Sequence, residues 1–211
     1  MSSTKSRYHH GALREELLRA SLQLIESEGL AAVSLRRVAR EAGVSPGAPY
    51  HHFADRAALM TALSTQGFEL LREDLLAARE QAATPVARLA TLADAYVRFA
   101  RERPAYFRLM FRPELSQSHK HPDTSAAGDA AFAVLAETVA AAVEAGALPA
   151  AEADILAMTW WSLAHGLASL ALDGKLPERA AQMGMTVPDL SDRVSRLFAD
   201  LVESHSPQRD S

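Results

Sequence analysis

The chain has 211 residues, no cysteine and a net charge of −4. The missing thiols exclude disulfides, thiolate metal sites and a cysteine nucleophile, and a chain this long buries roughly 70% of its unfolded surface, enough to fold without staples. The charge excludes a uniformly basic nucleic-acid coat, yet residues 1–56 carry eight Lys/Arg against six Asp/Glu while residues 57–211 carry fourteen against twenty, an asymmetry that allows DNA contact at one end.

Forty-two alanines against ten glycines favour helix, and no alternating β-branched run reads as a strand. Residues 1–10 lack an apolar stretch, so no signal peptide is expected at the start. Leu13, Leu17, Ala20 and Leu24 share a face of a first helix over about His10 to Glu28, which Gly29 stops. Ser34 stands in N-cap position before a two-turn helix over 35–42, ended by Gly43. Ser45 is expected to cap another very short helix with Pro46 at its first position. Asp55 caps a fourth helix to about Gln81. Pro85 opens a helix to about Glu102 and Pro104 a short one holding Tyr106, Phe107, Met110 and Phe111. Residues 116–123 read as a loop. Helices follow over about 124–146, 150–173 and 190–203, with 174–189 as a long connection and 204–211 as a frayed tail. Ile155–Leu172 is eighteen residues without Asp, Glu, Lys or Arg, but acids flank it and Thr159, Ser162, His165 and Ser169 interrupt it, so a core or interface helix is expected rather than a membrane span.

Two short helices joined by a glycine turn make a helix-turn-helix. Val38, Ala39, Val44 and Phe53 are expected to bury its seam, leaving an acid-free outer face of Pro46, Gly47, Ala48, Tyr50, His51 and His52. Small residues there would let backbone N–H groups approach phosphate. Tyr50, His52 and Arg56 suit phosphate contacts, His51 and the Ala48 methyl base edges, and Lys5 and Arg7 form a basic lead-in. The expected DNA-binding set is Ser34, Arg36, Ser45, Pro46, Gly47, Ala48, Tyr50, His51, His52 and Arg56.

Ser34–Phe53 followed by Asp55-Arg56-Ala57-Ala58-Leu59 resembles the DNA-binding signature of the TetR family of transcriptional regulators, in register from the alanine-glycine-valine-serine turn to the aromatic-His-Phe end. The resemblance covers about residues 10–60. It implies an all-α homodimer: a helix-turn-helix reader, here residues 1–56, then a helical effector-binding and dimerisation domain, residues 57–203, with a flexible tail. Trp161, His165 and Gly166 look like the Trp-His-Gly pattern of one C-terminal subclass. Pro49 departs from the family pattern, standing where an aliphatic residue is usual and removing a backbone N–H.

Other chemistries fare worse. Gly43-Val44-Ser45-Pro46-Gly47 fits G-x-S-x-G, but a nucleophile elbow needs a strand before the serine, and this run follows a helix. His9-His10 and His51-His52 are adjacent pairs that point about 100° apart on a helix, which does not chelate, and nothing in the sequence fixes His119 against His121. No catalytic residue, metal or cofactor is therefore expected. Large rings among alanines can leave an apolar cavity; Tyr96, Phe107, Met110, Phe111, Trp161 and His165 are the expected effector-binding residues. Leu163, Leu167, Leu170, Val194, Leu197, Phe198 and Leu201 supply apolar faces for a subunit interface. The expectation is a cytoplasmic, ligand-responsive repressor that meets a palindromic double-stranded DNA operator as a homodimer, is released by a small hydrophobic effector, and has no membrane partner. The competing expectation is a helical small-molecule-binding module without DNA activity.

Overall fold

The computed structural model describes residues 3–112, 114–115 and 120–204, with side chains from residue 12 onward. Among the described residues there is no strand. Nine α-helices follow one another among these residues: α1 (Ser3–Glu28), α2 (Leu35–Glu41), α3 (Arg56–Arg79), α4 (Pro85–Glu102), α5 (Pro104–Met110), α6 (Pro122–Glu144), α7 (Ala153–Leu172), α8 (Lys175–Gln182) and α9 (Val187–Ser204). Local signals account for most boundaries. The Ser34 hydroxyl accepts from Arg37 N, the Asp55 carboxylate from Ala58 N, and the Thr84 hydroxyl from Ala87 N with Pro85 behind it.

Backbone proximity divides the chain into two compact units, Met1–Gly67 with Ala105–Ser125, and Phe68–Pro104 with Ala126–Ser211. In the first, Leu17, Leu24, Val38, Ala39, Leu59 and Leu63 are fully buried. The sequence places a boundary at residue 56, whereas this packing runs on to Gly67 and takes in α5 and the start of α6. A Cβ built on Gly67 would lie 2.7 Å from Met110 Sδ and 3.1 Å from the Tyr106 ring, so the missing side chain is what lets α5 seat on α3. Polar bonds complete that seat: Tyr106 Oη donates to Gln66 Oε1 (2.8 Å), and Thr65 and Thr124 share a hydrogen bond of 2.9 Å. His121, expected in an unstructured loop, bonds through Nδ1 to Thr61 Oγ1 at 2.9 Å. Its suggested partner His119, most of the loop, Lys5, Arg7, the His9-His10 pair and the 205–211 tail lie outside the described side chains.

In the second unit α4 is the central element, packed against α7 and α9 and buried along Leu89, Leu92, Ala93, Tyr96, Phe99 and Ala100. Trp160 of α7 is fully buried; its indole N–H donates to Leu89 O (3.1 Å) and its ring meets Phe198 edge-on at 4.7 Å. Half of the connection expected over 174–189 is in fact α8, and α9 begins within it at Val187. Gly174, at φ 74°, ends α7, and the next turn tolerates Pro177 because a helix's first N–H groups have no partner within it. Only Leu176 and Ala180, four apart, are buried, too few apolar positions for the pattern to stand out. By length and composition α6 and the segment Ala150–Leu172 could each cross a membrane; of the apolar residues of α7, Trp160, Ala164 and Ala168 fill the core of this unit while Ile155, Met158 and Leu170 stay exposed.

Candidate nucleic-acid interface

The reading element is tighter than the sequence suggested. After α2 the chain turns through Gly43, at φ 66°, with Val44 N reaching back to Ala39 O (2.9 Å), a helix stop that a residue with a Cβ enters only under strain. A Cβ there would meet nothing within 4 Å, so backbone conformation and not space demands the glycine. Ser45 to Gly47 form a turn, Ser45 O accepting from Ala48 N at 3.0 Å, and the helix that follows is a single 3₁₀ turn, Ala48–His51. Gly47 is its N-cap, without a side-chain bond, which corrects the expected Ser45 cap and Pro46 first position.

Pro49 explains itself in this setting. It is buried, so it occupies the inward place of an aliphatic side chain, and its carbonyl oxygen accepts from both His52 N and Phe53 N at 2.9 Å. Val38, Ala39 and Phe53 are buried as expected and Val44 is half-buried, while Arg14 lies 5.6 Å over the Phe53 ring, a contact no local pattern signals. Facing outward are Ser34, Arg36, Ser45, Pro46, Gly47, Tyr50 and His51, with Ala48 and His52 half-buried. Tyr50 is 52% exposed, unusual for a tyrosine with a core close beneath it.

Arg56 has partners inside the protein that the sequence did not signal. Its Nε donates to Val33 O and its Nη2 to Leu30 O, each at 2.9 Å. Those carbonyls belong to the first residue of the 3₁₀ turn Leu30–Ala32 and to the residue that follows it, so the guanidinium ties the start of α3 to the chain entering α2. Arg37, beside Arg36 on α2, pairs with Glu28.

The residues expected at an effector site divide between the units. Phe107, Met110 and Phe111 belong to the first, where the two phenyl rings stand 5.1 Å apart and Met110 covers Gly67. Tyr96, Trp161 and His165 converge in the second: Trp161 Nε1 donates to Tyr96 Oη (3.4 Å), which shares a 2.9 Å hydrogen bond with His165 Nδ1. Burial drives the Tyr96 hydroxyl far up and His165 down, so at neutral pH the tyrosine is protonated and the imidazole uncharged. Phe132, edge-on to Trp161 at 6.0 Å, joins this cluster and was missed because a lone phenylalanine among alanines carries no spacing signal. Of the expected interface residues, Leu170, Leu197 and Leu201 are exposed, Leu163, Val194 and Phe198 half-buried, and Leu167 buried within its own unit. No group of three or more potential metal ligands occurs among the described residues.

A short reading turn held on a buried seam, with small and hydrogen-bonding residues outward, defines a helix-turn-helix DNA-binding regulator. Residues 17–63 match the family model described as bacterial regulatory proteins, tetR family, and residues 89–189 match a tetracyclin repressor-like C-terminal domain. A protein of unknown function from Rhodococcus sp. RHA1 is 35% identical, with 93% of this chain and 98% of that one covered and a TM-score of 0.79. The TetR family transcriptional regulator PfmR from Thermus thermophilus shares the fold at 21% identity, 93% and 97% coverage and a TM-score of 0.66. The HTH-type transcriptional regulator BetI of Rhizobium meliloti (strain 1021) is 38% identical over 79 residues, 37% of this chain, and that match spans only 39% of BetI. The chain belongs to the tetR family of bacterial transcriptional regulators.

Proposed function

We propose that this regulator is a cytoplasmic repressor that binds a roughly palindromic operator as a homodimer and leaves it when a small hydrophobic effector binds. The observation that carries the reading is the outward face of Pro46, Gly47, Tyr50 and His51 on a fully packed frame, with no acid among them. Tyr50 supplies a phosphate contact and His51 a base contact, and Arg56 acts by positioning, through its two carbonyl bonds. Self-association is supported by exposed apolar residues on two neighbouring helices, Ile155, Met158 and Leu170 of α7 and Leu197 and Leu201 of α9. Two readers related by a two-fold axis require half-sites about 34–36 Å apart or a multiple of that.

The Tyr96–Trp161–His165 cluster, with Phe132 against it, supports an effector site of the Trp-His-Gly kind within the second unit. An effector acts by preferring a shape whose readers are wrongly spaced, and taking a population from 99:1 to 1:99 needs about 10⁴-fold preference. The test is selection of bound sequences from a random duplex pool, alongside mass by light scattering. Recovery of one inverted repeat at the mass of two chains is the expected result. A pool that stays random at low salt overturns the DNA reading, and a monomer mass at micromolar concentration overturns the dimer.

A further inference from the structure

One carboxylate in the second unit lies outside both sites described above. Asp94 sits on α4, half-buried, with Oδ1 enclosed and lacking a hydrogen-bond partner. Its carboxyl faces Asp192 of α9, across the seam between two of the most closely packed helices in the unit. Asp192 is itself bonded to Arg196 one turn on, at 2.7 Å. Two carboxylates directed at one another across a packed seam repel unless a proton lies between them.

We propose that Asp94 and Asp192 form a proton-dependent latch between α4 and α9, closed when the Asp94 acid donates a hydrogen bond to the Asp192 carboxylate and loosened when both are charged. The surrounding charges are few. Arg196 from α9 and Arg98 from α4 itself act on Asp94 in the opposite sense to Asp192. α7, also packed on α4, carries only Asp154 and His165 as ionisable groups, and His165 is bonded to Tyr96. On α3, Asp74 is held by Arg103 and Arg79 by Glu137. Burial first, and then the charge and hydrogen bonding of Asp192, push the Asp94 carboxyl up from 3.8 to about 6.

A carboxyl raised on folding favours the folded state in its protonated form, so its contribution is whole below about 4 and is lost as pH rises through about 6. The latch stands independently of DNA binding. Its consequence for assembly, a change in how α9 presents Leu197 and Leu201, rests on the homodimer reading.

The experiment uses the full chain, wild type, Asp94→Asn and Asp192→Asn, melted from pH 5 to 7.5 at constant ionic strength, with carboxyl-carbon NMR following Asp94. Relative to Asp94→Asn, the wild type is expected to lose about 4 °C in Tm between pH 5 and 7.5. The Asp94 resonance should titrate near pH 6 in the wild type and move toward the ordinary carboxyl range in Asp192→Asn. Parallel melting curves for wild type and Asp94→Asn overturn the latch, and so does an Asp94 midpoint that Asp192→Asn leaves unmoved. Sedimentation across the same pH range separates the two readings, because a chain that is monomeric throughout removes the dimer while the melting and NMR results still judge the latch.

Discussion

The reading turn and the helical layer of α4, α7 and α9 handle polar groups in opposite ways. Around the reading turn, apolar side chains point in and the donors of Tyr50, His51 and Arg36 point out, so chemistry is offered to a partner. In the α4 layer the donors turn inward: the Trp160 indole meets a backbone carbonyl 71 residues away, Trp161 and Tyr96 join, and Asp94 confronts Asp192. A small frame can leave its hydrogen-bonding capacity open because water satisfies it until DNA arrives. A buried layer must satisfy each group internally or carry the cost of leaving it unmade.

Substitutions can break this contrast, and the largest effect belongs to the inward side. Trp160→Ala removes a fully buried ring and its bond to Leu89 O, and should cost about 3–5 kcal/mol in denaturant unfolding. A loss under about 1 kcal/mol would mean that the α4 layer does not depend on that ring. Gly67→Ala comes next. Its Cβ, 2.7 Å from Met110 Sδ, should cost about 1–3 kcal/mol by overpacking, offset by about 1 kcal/mol of helix propensity, for a net loss of up to about 2 kcal/mol, and the same substitution made in a Met110→Ala background should cost less. Arg56→Ala, which frees two carbonyls, should cost about 1–2 kcal/mol and weaken DNA binding through the displaced frame, with Arg56→Lys restoring only part. Smallest in stability is Tyr50→Ala, expected within about 0.5 kcal/mol of the parent, yet it should weaken binding to every duplex and flatten the dependence on salt. A Tyr50 variant with unaltered affinity and salt slope would remove the phosphate contact from the reading face.

Legibility in the sequence tracked the range of the interaction. Ser34, Asp55 and Thr84-Pro85 marked helix starts because a cap acts within three residues, and Gly29, Gly43 and Gly174 marked stops by the conformation they allow. The inward stripe of the helix-turn-helix was equally plain. Tyr50 and His51 could be picked as outward because Val38, Ala39 and Phe53 claimed the inside. Arg56 was legible only in part: the sequence offered it as a basic residue after a reading element, and could not signal that the carbonyls of Leu30 and Val33, 26 and 23 residues earlier, lie beneath it. The helix α8 escaped notice because two buried residues in eight, with a proline among them, resemble a connection.

What the chain's own order of residues determined was the helical alphabet of the molecule, the place of the glycine turn and the identity of the outward face, since propensity, capping and periodicity all act within one or two turns. Tertiary packing alone decided how tightly the reading turn is wound, which it did by burying Pro49, and it decided the partners of Arg56, Trp160 and Asp94. Those pairings join residues from 23 to about 100 positions apart, and which carbonyl or carboxylate lies opposite a side chain is set by how helices seat against one another, a property that no stretch of neighbouring residues contains.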